Sequence, residues 1–150
     1  MKKNFSIVCL VVIALSFTNC SKNATSPSSS TSHSYKMYNY SSGTAVEAGS
    51  LTLTKTNDDN AAISVTLSNG YLVPGKILKA YLIVKDSILG VEANYATLTD
   101  IDGSTGSSTT APLINSSTNV AIKYDAIVSE KRYSVKVYNS SAVQAVGKIE

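Results

Sequence analysis

The sequence predicts an all-β protein, an antiparallel β-sandwich of Greek-key or immunoglobulin-like kind. Three observations carry that prediction. From Tyr35 onward apolar and polar residues alternate with period two, which is the spacing of a strand with one face buried. Clusters of Asn, Asp, Gly and Ser interrupt the alternation at strand-length intervals, as tight turns require. Beyond Tyr35 no window carries the longer period of an extended amphipathic helix; Lys123 to Glu130 has room for a turn or two.

Taken in order, the chain opens with a leader. Lys2 and Lys3 precede an apolar run from Phe5 to Phe17, broken only by Ser6 and Ser16, and residues 1–19 read as an export signal. The run is shorter than the roughly 20 residues that span a bilayer. Cys20 follows it almost directly, with Ser21 behind, in the arrangement of a bacterial lipobox whose cysteine is acylated and becomes the first residue of the mature chain. The residues just before it, Phe17-Thr18-Asn19, are looser than most lipoboxes; an ordinary signal peptide cut near Cys20, leaving a free thiol, is the competing reading. Cys9 leaves with the leader, so Cys20 has no partner for an intramolecular disulfide and the domain must be stable without one. Several acyl chains on one cysteine meet the requirement for stable anchoring that a single chain does not.

Residues 21–34, SKNATSPSSSTSHS, are too poor in apolar groups to offset the entropy of ordering, and read as a tether. His33, the sole histidine, falls in it as a solvated residue. The folded domain is then expected over residues 35–150. Ser50 to Thr56 and Ile63 to Leu67 alternate on either side of Asn57-Asp58-Asp59-Asn60 and predict a hairpin. Turns at Ser68-Asn69-Gly70 and Pro74-Gly75 lead into Ile77 to Val84, apolar on both faces and suited to a central strand. Arg132 to Tyr138 alternates again, and Ala142 to Ile149 forms the last strand, for seven to nine in all. Phe5 and Phe17 belong to the leader and there is no Trp, so the nine tyrosines must supply the aromatic packing; an exposed tyrosine platform for binding is the alternative use.

The charged share, 15%, is low, so Ser, Thr and Asn supply the polar surface. Once Lys2 and Lys3 are removed the balance is close to neutral, with no basic run. This excludes nucleic acid as a partner, since that binding depends on clustered cations replacing counterions.

The order of motifs is also informative: Gly49 to Leu53, then Leu98-Thr99-Asp100-Ile101-Asp102-Gly103-Ser104-Thr105-Gly106-Ser107, Ile122 to Ile127, Tyr133 to Val137 and Val146 to Ile149. It resembles the CHRD (chordin-type) domain of bacterial secreted proteins, over about Gly49 to Glu150. The resemblance implies an extracytoplasmic β-sandwich akin to the copper/zinc superoxide dismutase architecture, with no established enzymatic activity. Members of that family often carry a His-x-His pair and a Val-His pair; Lys79-Ala80-Tyr81 and Val135-Lys136 stand in those places here, and protonated ammonium groups do not bind metal.

Residue chemistry argues against an enzyme. A nucleophilic serine would need a base held against it, and His33 lies in the tether. Asp58 and Asp59 occupy a hairpin turn, a poor setting for a glycosidase pair. Asp100-x-Asp102-Gly103 faintly suggests a calcium loop, but Ser104 and Ala111 stand where an EF-hand loop carries ligands, and a plain turn accounts for the residues. Asp86-Ser87-Ile88 matches a short bacterial O-glycosylation pattern at Ser87. No cofactor or metal is expected. The expectation is a lipoprotein of the bacterial cell envelope, bound to the membrane through Cys20, whose domain recognises a protein or glycan. A degenerate metal or dismutase-like protein is one alternative. Another is a structural surface subunit that polymerises by exchanging Tyr35 to Tyr40 as a detachable edge strand.

Overall fold

The computed structural model describes residues 31–150; the leader, Cys20 and the tether through residue 30 lie outside the described residues. Strands β1 (Ser32–Asn39), β2 (Val46–Lys55) and β3 (Ala61–Leu67) form a meander. A short 3-10 turn (Asn69–Tyr71) then leads to β4 (Ile77–Lys85), β5 (Glu92–Thr97), β6 (Ile101–Asp102) and β7 (Ser107–Thr110). One helix, α1 (Tyr124–Glu130), precedes the closing pair β8 (Tyr133–Asn139) and β9 (Ala142–Ile149). The fold is all-β and antiparallel throughout.

The strands run in the order β5-β4-β8-β9-β1-β2-β3-β7. β6 pairs with the start of β4 and turns directly into β7, which pairs with β3, so the segment bridges the two margins of the sheet and curls it on itself. Alternation in sequence becomes inside and outside in space. Leu51 and Leu53 of β2, Ile63 and Val65 of β3, Leu78 and Leu82 of β4, and Val135 and Val137 of β8 are buried against one another across the curl. Each such side chain contributes about 1.5–3 kcal/mol when fully buried. Tyrosine does supply the aromatic packing: Tyr124 and Tyr133 are buried, and Tyr95 lies 5.1 Å from Tyr133 between ring centroids.

Gly147 of β9 faces the core side chains of β1 and β2. A Cβ there would sit 2.3 Å from Leu51 Cδ2 and 2.9 Å from Met37 Cγ, so the missing side chain leaves the room that these two core residues fill.

The predicted hairpin, central strand, final strand and short helix all occur where the residues placed them. Two expectations at the start of the domain do not hold. First, β1 begins at Ser32, not Tyr35: Ser32, His33 and Ser34 pair with Thr54, Leu53 and Thr52, and the Ser34 and Thr52 hydroxyls bond at 2.9 Å. Strand pairing is made by the backbone, so a polar segment joins a sheet when a neighbour offers a ladder. Second, Tyr35 to Tyr40 is not an edge. β1 lies between β2 and β9, which joins the first and last strands of the domain.

Matching registers define two ends of the molecule. Met37, Gly147, Val135 and Leu82 are successive partners, or partners of partners, across four strands. From that level β1 runs back to Thr31 on the side where β9 ends, β8 begins and β4 ends. This is the entry end. The β1–β2, β8–β9 and β6–β7 turns lie at the opposite, distal end. Among the described residues no helix is long and apolar enough to cross a membrane.

Candidate interaction surface

Cys20, the predicted lipidation site, lies outside the described residues. His33 has a defined place. It follows Leu53 in register, so its ring falls on the inner side of the sheet at the entry end, stacked on Tyr124 at 6.3 Å and 6.5 Å from Tyr35. It is exposed, as a solvated residue should be, but it stands in β1 and not in a tether.

Of the carboxylates singled out in the sequence, Asp58 has no side-chain partner among the described residues, while the others are engaged locally. Asp59 and Asp125 both pair with Lys55, at 3.1 and 3.2 Å. Asp100 pairs with Lys79 at 2.6 Å. Asp102 accepts from the Ser104 backbone N–H at 2.7 Å, and its carbonyl accepts from Gly106 N–H at 2.7 Å, which is turn geometry. Among the described residues no three His, Cys, Asp or Glu side chains come together as metal ligands. Lys79, Tyr81 and Lys136, where the resemblance expects histidines, are neighbours on β4 and β8, with Tyr81 directly opposite Lys136. Their ammonium groups are paired, Lys79 with Asp100 and Lys136 with Glu92. The pair with Asp100 raises the pKa of Lys79, chiefly through its hydrogen bond, so Lys79 stays protonated.

Two concave surfaces remain. One follows the seam between β1 and β9, a groove of about 420 Å³ lined by Tyr35, Lys36, Tyr38, Tyr40, Val146 and Lys148, with Glu150 at its end. It exists because ladder pairing between β1 and β9 is confined to Met37–Gly147 and Tyr38–Val146, beyond which the strands diverge toward the entry end. Tyr38 and Tyr40 lie 6.4 Å apart at its distal part, half-buried and exposed respectively. Their rings offer flat apolar faces with hydroxyls free to hydrogen-bond, a combination suited to sugars and peptides.

The other surface, of about 590 Å³, lies at the entry end under the β4–β5 loop, between Lys85, Asp86, Leu89, Arg132, Lys148 and Glu150. The loop is built around Asp86. Its Oδ1 accepts from the Ile88 and Leu89 N–H groups at 2.8 and 2.6 Å, its own N–H donates to Val91 O, and Gly90 takes a positive φ of 69° to close the turn. The two loop N–H groups, Leu89 first, hold the Asp86 carboxyl below the usual carboxylate range. With the backbone closed on itself, the side chains point outward: Ile88 is 90% exposed, Leu89 77% and Val91 61%. Beside the loop, Arg132 Nε donates to Glu130 at 2.5 Å, and Glu130 also accepts from Tyr133 OH at 3.1 Å. Burial raises the Tyr133 phenol well above its usual pKa, so it remains a donor.

The sequence shows the apolar run Ile88-Leu89-Gly90-Val91 without indicating its use, because a run of that length reads equally as strand. The seam groove had no sequence signal, since it arises from divergence of strands over a hundred residues apart. Comparison with protein-family models, with curated proteins and with solved structures found no match to this chain.

Proposed function

We propose that this protein is a bacterial envelope lipoprotein whose non-catalytic, CHRD-like β domain is a tethered interaction module. The observation that carries the reading is the position of Cys20, closing an apolar run behind two lysines and standing a short polar stretch ahead of β1. A chain that begins there consists of an anchor, a spacer and a domain whose core is complete without a disulfide. The tyrosine-lined seam between β1 and β9 is the favoured recognition surface, because its aromatic faces and flanking Lys36 and Lys148 suit a glycan or an extended peptide.

Metabolic labelling with a clickable fatty acid tests the anchor. The wild-type chain should take up label and Cys20→Ser should not; label retained in Cys20→Ser, or absent from the wild type, contradicts it. Tyr38→Ala with Tyr40→Ala tests the surface: both side chains face away from the core, so binding to envelope glycans or proteins should fall while the thermal midpoint holds.

A further inference from the structure

The entry end carries an unusual set of side chains. Besides Ile88, Leu89 and Val91 on the β4–β5 loop, Val120 is 61% exposed on the segment that joins β7 to α1. That segment is fixed to the same end, since Ala61 N–H donates to Ile122 O and Leu113 N–H to Ala61 O at the start of β3. Around the β4–β5 loop stand Lys85, Lys131 and Lys148, which form no ion pair among the described residues. Acidic groups stand at this end too: Asp86 is turned into its own loop, Glu130 is held by Arg132 and Tyr133, Glu92 pairs with Lys136, and Asp59 and Asp125 pair with Lys55, which leaves Asp58 and Glu150 as the carboxylates without an ion pair among the described residues.

The chain enters at this end. Thr31 O accepts from Lys55 N–H at the last residue of β2, and β1 starts one residue later. Twelve residues separate Cys20 from Ser32, and a chain of that length spans at most about 40 Å. The strands themselves make the domain about 30 Å long. A lipid on Cys20 would tie the domain to the bilayer at its entry end and leave the distal end the farther of the two from the point of attachment.

We propose that the entry end is a membrane-contact face, with Ile88, Leu89 and Val91 entering the bilayer interface beside the lipid anchor and Lys85, Lys131 and Lys148 meeting lipid phosphates. This rests on acylation of Cys20. Three N–H groups of the loop, those of Ile88, Leu89 and Gly90, are already bonded to Asp86, which lowers the cost of taking the loop out of water, and its apolar tips are the part that gains from doing so. Docking in this orientation leaves the Tyr38 and Tyr40 end of the seam facing outward.

The test is photocrosslinking of the full chain in bacterial membranes, with a diazirine amino acid replacing Leu89 or, separately, Val143 in the β8–β9 hairpin at the distal end. Intact mass reports phospholipid adducts, and the mass of the N-terminal peptide from the same sample reports the state of Cys20. Phospholipid adducts at position 89 and none at position 143 are expected. With Cys20 acylated, equal adducts at the two positions, or none at 89, overturn the contact face and leave the anchor standing. Protein adducts at 89 in place of lipid overturn it in favour of a protein partner at that end. An unacylated Cys20 overturns the anchor and the contact face together.

Discussion

A methyl group at Gly103 has no space to occupy. Its Cβ would lie 2.2 Å from Val73 O and 2.8 Å from Lys76 O, both backbone atoms fixed by hydrogen bonds from Val73 N–H to Gly103 O and from Gly103 N–H to Lys76 O. Gly103→Ala should therefore destabilise the domain by about 1–3 kcal/mol, the usual range for overpacking. Gly70, with nothing within 4 Å of its Cβ position, is the control and should tolerate Ala with little change in the urea midpoint. Asp86 supplies a second residue-level expectation, with its sign fixed by linkage. Its folded carboxyl is held below its ordinary pKa by the Leu89 and Ile88 N–H groups, so it stabilises the loop fully above the unfolded pKa and loses that contribution as pH falls through the lowered folded value. Amide exchange at Ile88 and Leu89 should accelerate in acid relative to the intrinsic rate, and Asp86→Ala should show the faster exchange already at neutral pH.

Among the elements, β1 shows how physical causes divide between sequence and structure. Alternation in Ser50 to Thr56, Ile63 to Leu67 and Arg132 to Tyr138 was legible because each of these strands has one wet face and one dry face, and a chain of such strands with turn clusters between them specifies an all-β fold. The first residues of β1 were not legible, because Ser32, His33 and Ser34 sit at the open end where pairing is made by backbone and hydroxyl groups rather than by burial. Nor does composition reveal that β1 is an inner strand; that follows from its pairing with β9, a contact between opposite ends of the chain. The consequence is measurable at Met37, which is wholly buried beneath Leu51 and Gly147. Met37→Ala should cost about 2–5 kcal/mol in chemical unfolding. A cost below about 1 kcal/mol, within the range of ordinary surface changes, would mean that β1 is loosely held and free to exchange between molecules.

At the scale of the whole molecule, the two ends differ. The entry end gathers the start of β1, the apolar β4–β5 loop and lysines that form no ion pair among the described residues, while the seam carries Tyr38 and Tyr40 toward the distal end. The proposed anchoring would give that difference a use, because a lipid at Cys20 would turn it into a difference between membrane-facing and outward-facing surfaces. The positions at which the CHRD resemblance expects histidines lie side by side on β4 and β8, and lysine and tyrosine occupy them, with Lys79 paired to Asp100 and Lys136 to Glu92. All of this depends on the chemical state of one residue. The decisive measurement is the intact mass of the protein extracted from bacterial membranes: a chain beginning at Cys20 and carrying diacylglyceryl and N-acyl groups is the expected result, whereas an unmodified N-terminus at or near Cys20 would contradict the anchor.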